Sequence, residues 1–239
     1  MSSPARYWAP EFSPRRTFSE VPPVQVQEAF REHFSRWGLP EAFRLDNGNP
    51  WGNWNDLPTA LALWLIGLGV EVLWNDPGHP EQNPKVERSQ GTGKRWAEPH
   101  RCLEAAQLQE HFDRVDVIQR ERYPAVGGKS RLEAFPELAE GGRRYTREWE
   151  RRYWALERVL EHVAAYAVVR RVWQSGHVSV YDKGYYVGTA YRGQSVYVEL
   201  DPSAREWVIT DQEGRQLRRH PARQLTRERI VGLRLTEGG

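Results

Sequence analysis

Two acidic residues, Asp46 and Glu87, stand in settings where carboxylates do chemistry. Asp46 follows the short apolar run Phe43-Arg44-Leu45 and opens the turn Asp46-Asn47-Gly48. Glu87 falls in the first turn or so of a helix expected from Asn83 and Pro84, a good N-cap followed by a residue that fits the first helical position. Two carboxylates at one edge of a sheet can share hard divalent cations, because Mg²⁺ prefers oxygen ligands and keeps several waters. Two such cations about 4 Å apart would hold the attacking and leaving oxygens of an in-line phosphoryl displacement. Taken singly, Asp46 is a turn aspartate and Glu87 a first-turn glutamate favoured by the helix dipole. The pair gains meaning only if the elements around it bring the two together.

The pattern predicts such elements. The stripe Ala29, Phe30, His33, Phe34 and Trp37 reads as a helix over 24–37, with Gly38 as C-cap and Pro40 preventing continuation. Strand 43–45 comes next, then an apolar helix over 57–68 with Asp56 as N-cap and Pro58 at its start, then strand 70–74. A Pro- and Gly-containing loop over 75–82 leads to the helix from 84 to about 97. Strand–helix–strand–helix indicates an α/β domain, whose strand ends and following helix starts share one sheet edge. Phe12 to Phe18 reads as an edge strand.

Further on, residues 103–122 read as a helix, with Leu108, Phe112, Val115 and Ile118 on one face, and 123–142 as a Pro- and Gly-punctuated linker. Thr146 caps a predicted long helix reaching about Val168. Its apolar positions, Trp149, Tyr153, Leu156, Leu160, Val163 and Ala167, alternate in steps of four and three. That seam suits docking on the chain itself or a coiled-coil dimer. From Val172 the period becomes that of strands: 178–181, 185–187, 196–200 and 207–210, with turns at Asp182-Lys183-Gly184, Asp201-Pro202 and Glu213-Gly214. Short strands this dense suggest a small barrel.

The motifs around the two carboxylates resemble the DDE integrase core of retroviral integrases and bacterial insertion-sequence transposases. The residues that carry the resemblance are Asp46-Asn47-Gly48 after a strand, Leu68-Gly69-Val70-Glu71-Val72, and the run NPKVERSQGTGKR over 83–95. The likeness runs from about Phe12 to Trp96. Ser175-Gly176-His177-Val178-Ser179-Val180, Tyr185-Tyr186-Val187-Gly188 and Gly193 to Val198 are similar to the SH3-like barrel that follows such cores. The fold it implies is an α/β RNase H-like (integrase core) domain, incomplete at its N-terminus, followed by a helical linker and a small SH3-like β-barrel. The expected boundaries are 1–123 for the core, 124–172 for the linker, 173–226 for the barrel and 227–239 for a tail.

By that resemblance Asp46 is the second catalytic carboxylate and Glu87 the third, together holding Mg²⁺ or Mn²⁺, two ions in an intact family member. Lys94, two turns beyond Glu87, resembles the lysine that touches transposon-end DNA, and Lys85, Arg88 and Arg95 lie on the same DNA side. Arg215, Arg218 and Arg219, in an Arg-rich tail over 215–229, would bind DNA backbone. In the family a metal-activated water cuts the transposon end, and the freed 3′-hydroxyl attacks target DNA. The implied partners are transposon-end and target DNA and further copies of the same chain. Pro84 stands where the family often has Gly. Residues 1–45 hold no counterpart of the family's first catalytic Asp; Glu11, Glu20, Glu28, Glu32 and Glu41 do not replace it. The expectation is a truncated core that does not join DNA strands by itself. A non-catalytic DNA-binding or oligomerisation remnant is the alternative.

Composition bears on the same choice. The 239 residues are 39% hydrophobic and 28% charged, which supports a core and argues against wholesale disorder. One cysteine, Cys102, excludes a disulfide framework and a Cys-rich zinc module. The seven histidines lack metal-ligand spacing, and no Walker or dinucleotide glycine motif occurs. The longest apolar run, 60–70, falls short of the roughly 20 residues of a bilayer span, and MSSPARYWAPEF has no apolar signal core. A cytoplasmic, nucleoid-associated protein without a membrane partner is expected. Net charge is +2, but 143–173 hold eight Arg against four Glu, and 214–234 hold seven Arg against one Glu. Such segments suit a polyanion. The tryptophans at 51, 54, 64, 74 and 96 read as packing residues, with stacking on bases as the sharper alternative.

Overall fold

The computed structural model of the chain describes residues 22–45, 51, 56–75, 84–136, 139 and 143–236, the side chains of 84–90 excepted. The expected edge strand over 12–18 lies outside the described residues. The described chain is mixed α/β and divides into two compact units, Met1–Leu45 with Val70–Arg152 and Asp46–Gly69 with Tyr153–Gly239.

In the first unit, helix α1 (Pro23–Trp37) begins with proline at N1 and ends at Gly38, whose φ of 81° is one a residue with a Cβ resists. Its apolar stripe turns inward. Phe30 stacks on Phe34 at 5.5 Å and meets Phe43 of strand β1 (Ala42–Leu45) edge-on at 5.1 Å, while Phe34 meets Tyr145 at 5.7 Å. β1 pairs in parallel with β2 (Glu71–Trp74), from Ala42 opposite Glu71 to Leu45 opposite Trp74. Helices α3 (Pro84–Ala97) and α4 (Ala105–Glu121) pack through Ala97, Phe112, Val115 and Leu108. The short helix α5 (Arg131–Ala134) starts with a capping box, in which Ser130 and Glu133 satisfy each other's backbone N–H.

A charged cluster lies inside this unit. The Arg31 guanidinium grips the Glu150 carboxylate with Nε at 3.1 Å and Nη2 at 2.7 Å, and its Nη1 reaches Glu28 at 2.6 Å. Glu150 sits on α6 (Arg147–Tyr153) and is 5% exposed. It also accepts from the Tyr145 hydroxyl, and Arg147 bonds Glu28. Burial and then the bond to Glu150 hold the Tyr145 phenol above its ordinary range. Burial works against ionisation of Glu28, but the bonds from Arg147 and Arg31 outweigh it and lower its pKa.

The second unit centres on helix α2 (Ala60–Gly67), which is apolar all round and buried on every face from Leu61 to Gly67. Thr59, rather than the expected Asp56, is its N-cap; the Thr59 hydroxyl accepts from Ala62 N at 3.3 Å. Asp56 instead pairs with Arg170. α2 packs against α7 (Leu156–Ala164) and α8 (Arg227–Val231).

The predicted long helix from 147 to about 168 is broken. Ala155 is extended at φ −117° and ψ 123°, and separates α6 from α7. The reason is the end of α2. Trp154 turns inward and donates its indole N–H to the Trp64 carbonyl at 3.0 Å. Ala155 N donates to the Gly67 carbonyl at 3.0 Å, and Arg158 Nη1 to the same oxygen at 2.9 Å. Those bonds satisfy α2's terminal carbonyls, which a continuous helix through 154 would leave without them. Gly67 is required here, since a Cβ on it would fall 2.1 Å from the Trp154 ring. The apolar seam is thus spread over two helices and strand β3 (Ala167–Arg171), and no continuous coiled-coil face exists.

Strands β6 (Ser195–Asp201), β7 (Glu206–Thr210) and β8 (Gln216–Pro221) join β3 in an antiparallel sheet ordered β3-β6-β7-β8. β4 (His177–Val180) and β5 (Lys183–Tyr186) form a separate hairpin, so the described strands make no closed barrel. Val196, Val198, Leu200, Trp207 and Ile209 are all buried, matching the strand period of two. The hairpin turn puts Tyr181 and Asp182 at positive φ, 49° and 59°, as a two-residue I′ turn demands. A bulky residue there is strained. The Tyr181 hydroxyl donates to the Pro58 carbonyl at 3.0 Å, and burial holds its phenol well above the ordinary range. The hairpin also meets the sheet's end through Gln224, which accepts from the Tyr185 hydroxyl and donates to the Val180 carbonyl at 3.2 Å.

Candidate nucleic-acid interface

The expected carboxylate pair is described only in part. Asp46 lies outside the described residues, immediately after β1 ends at Leu45. Glu87, Lys85 and Arg88 lie on α3, with side chains outside the description. Asn47, Gly48, Trp54 and His79 fall outside it as well. Among the described residues no group of three or more His, Cys, Asp or Glu could hold a metal.

The expected DNA-side cations differ among themselves. Lys94 and Arg95, in the last turn of α3, are exposed and form no ion pair among the described residues. Arg218 is also exposed, and its Nη1 donates to the neighbouring Leu217 carbonyl at 2.8 Å. Arg215 is held by Asp211, Nε to Oδ2 at 2.7 Å, and reaches Glu213 at 3.4 Å. Arg219 bridges Glu206 at 2.7 Å and Asp201. These partners keep the Arg215 and Arg219 guanidiniums firmly protonated, and backbone and Arg bonds lower the Asp201 pKa.

The expected Arg-rich tail is in part strand β8, which pairs with β7. Arg215 and Arg219 of the basic segment therefore pair with acidic residues of 201–213, and the segment's net charge overstates its free cations. In the segment from 143 to 173 five Arg side chains are engaged, three of them with acids. Arg143 donates to Pro40, Arg147 to Glu28, Arg151 to Glu148, Arg158 to Gly67 and Arg170 to Asp56 and Ser179. Nothing in residue counts signals this pairing; the alternation of acidic and basic stretches across predicted turns is the one hint.

The tryptophans divide too. Trp64 is fully buried and serves α2, as a packing role requires. Trp96 is 37% exposed, with Tyr123 beside it at 5.1 Å. No known protein-family model matches the chain. No described helix is long and apolar enough to cross a membrane.

Proposed function

We propose that the chain is a DDE-type transposase or integrase polypeptide that acts on DNA, with an RNase H-like core and an SH3-like C-terminal part. The observation that supports this is the order of its elements around the motifs. β1 ends directly before Asp46-Asn47-Gly48, β2 runs parallel to it, and α3 carries Glu87 and, two turns on, Lys94. Parallel neighbours joined by a long crossover are the βαβ arrangement, which gathers strand ends and helix starts on one edge.

Asp46 and Glu87 offer the carboxylate oxygens that suit Mg²⁺ or Mn²⁺. Bound at such a site, paired cations supply a nucleophile at neutral pH and stabilise the leaving oxygen. Two carboxylates neutralise two divalent cations incompletely, so this 239-residue chain alone is expected not to join strands. Lys85, Arg88, Lys94, Arg95 and Arg218 would contact backbone phosphates, with transposon ends and target DNA as partners. The setting is cytoplasmic, on the nucleoid, as a homo-oligomer.

The experiment is Mg²⁺- or Mn²⁺-dependent nicking or joining of duplex DNA by the purified chain, with Glu87→Gln as control. No activity is expected above the control. Robust activity lost in Glu87→Gln would overturn the inactivity of the chain while supporting the family. The second reading, a non-catalytic DNA-binding or oligomerisation module, is favoured by the ion pairs of Arg215 and Arg219, which suit a folded scaffold. DNA binding indifferent to divalent metal would favour it.

A further inference from the structure

We propose that Trp96 and Tyr123 form a stacking platform for an unpaired nucleobase, a role that rests on the chain acting on DNA. The two rings meet at 5.1 Å with planes 76° apart. In that T-shaped contact neither ring covers both faces of the other. Both stay open, at 37% and 44% exposure.

They are held on fixed elements. Trp96 is in the last turn of α3, and Tyr123 follows the end of α4, its N–H donating to the Ile118 carbonyl at 2.9 Å. Ala97, Phe112 and Val115 join the two helices, and His111 Nδ1 donates to the Ala97 carbonyl at 2.8 Å. An aromatic pair left open on a rigid support is ready to receive a flat ligand without paying for ordering.

Exposed cations next to each ring in sequence favour an anionic ligand. Lys94 and Arg95 precede Trp96 and Arg122 precedes Tyr123; all three are exposed and without an ion pair among the described residues. Of the acids next in sequence, Glu98 is taken by Arg101 at 2.9 Å, and Glu121 is exposed. Phosphates on such cations with a base on the rings describe a strand whose base has left the duplex. Stacking of this kind tolerates any base, since each has a π-face.

The test uses the full chain and fluorescence anisotropy, with one duplex and the same duplex carrying an unpaired overhang. The overhang DNA should bind more tightly than the duplex. Trp96→Ala and Tyr123→Ala should each weaken overhang binding about tenfold and leave duplex binding within about twofold, as loss of one stacked base implies. Trp96→Phe should restore most of the loss, and circular dichroism should show all variants folded. Equal losses on both DNAs, or no loss, would overturn the platform. If wild type binds duplex without preferring the overhang, the platform falls and the DNA reading stands. If it binds neither, both fall. A polyglutamate peptide bound as tightly as the overhang DNA, and lost in Trp96→Ala, would mark a site for acidic peptides instead and overturn the nucleobase.

Discussion

The first unit places a charged cluster inside an aromatic core, whereas the second surrounds an apolar helix with aliphatic side chains and backbone hydrogen bonds. In the first, Arg31, Glu150 and Tyr145 occupy space that hydrocarbon could fill. In the second, Leu61 to Ile66 fill it. Burial of apolar surface stabilises in rough proportion to area and tolerates neutral substitution. A buried ion pair adds little net stability but is costly to break from one side. The two units should therefore fail under different insults.

The largest effects, of similar size, are expected from one substitution in each unit. Trp154→Ala removes the ring that covers Gly67 and the donor to Trp64, and should cost about 3–5 kcal/mol in urea unfolding. Gly67→Ala should also destabilise, because the ring must move away from the added Cβ. In the first unit, Glu150→Ala takes the buried carboxylate from Nε and Nη2 of Arg31 and should cost about 3–5 kcal/mol. A combined Arg31→Met and Glu150→Leu variant should recover much of that loss. Failure to recover would mean the cluster does more than fill the core.

A smaller effect comes from pH. Burial lowers the His162 pKa below its ordinary 6.5. A lowered histidine favours the folded state above 6.5, and that contribution is lost as pH falls through the folded value. Thermal stability should decline on going below pH 6.5, and His162→Gln should flatten the decline. Tyr145 has the opposite sign: its raised pKa favours the fold below the ordinary phenol range and fades as pH rises beyond it. The smallest effect is expected from Arg219→Ala, whose ion pairs lie at the surface; a calorimetric scan should barely move.

Much of the first unit was legible in the sequence. α1, β1 and α3 fall within about a residue of expectation because Pro23, Gly38 and Pro84 punctuate them for local reasons. The pattern from 147 to about 168 reads as one helix because steps of four and three fit a helix, while the break is imposed by residues 64 and 67, far away in sequence. Ala167-Val168-Val169 carried a β-branched signal that the seam obscured. β8 was hidden because an exposed, Arg-rich edge strand has no apolar alternation. Of the expected cations, Lys94, Arg95 and Arg218 are exposed, while Arg215 and Arg219 are paired with acids. The openness of Trp96 depends on Tyr123 and on helix packing, neither of which local spacing reveals.

The most direct measurement is the affinity of the chain for duplex DNA across a range of salt. The expected result is a falling line of log affinity against log salt, steeper than about −2, since each neutralised phosphate contributes about −0.9. Affinity that is flat with salt, or no binding at low salt, would contradict a DNA-acting polypeptide.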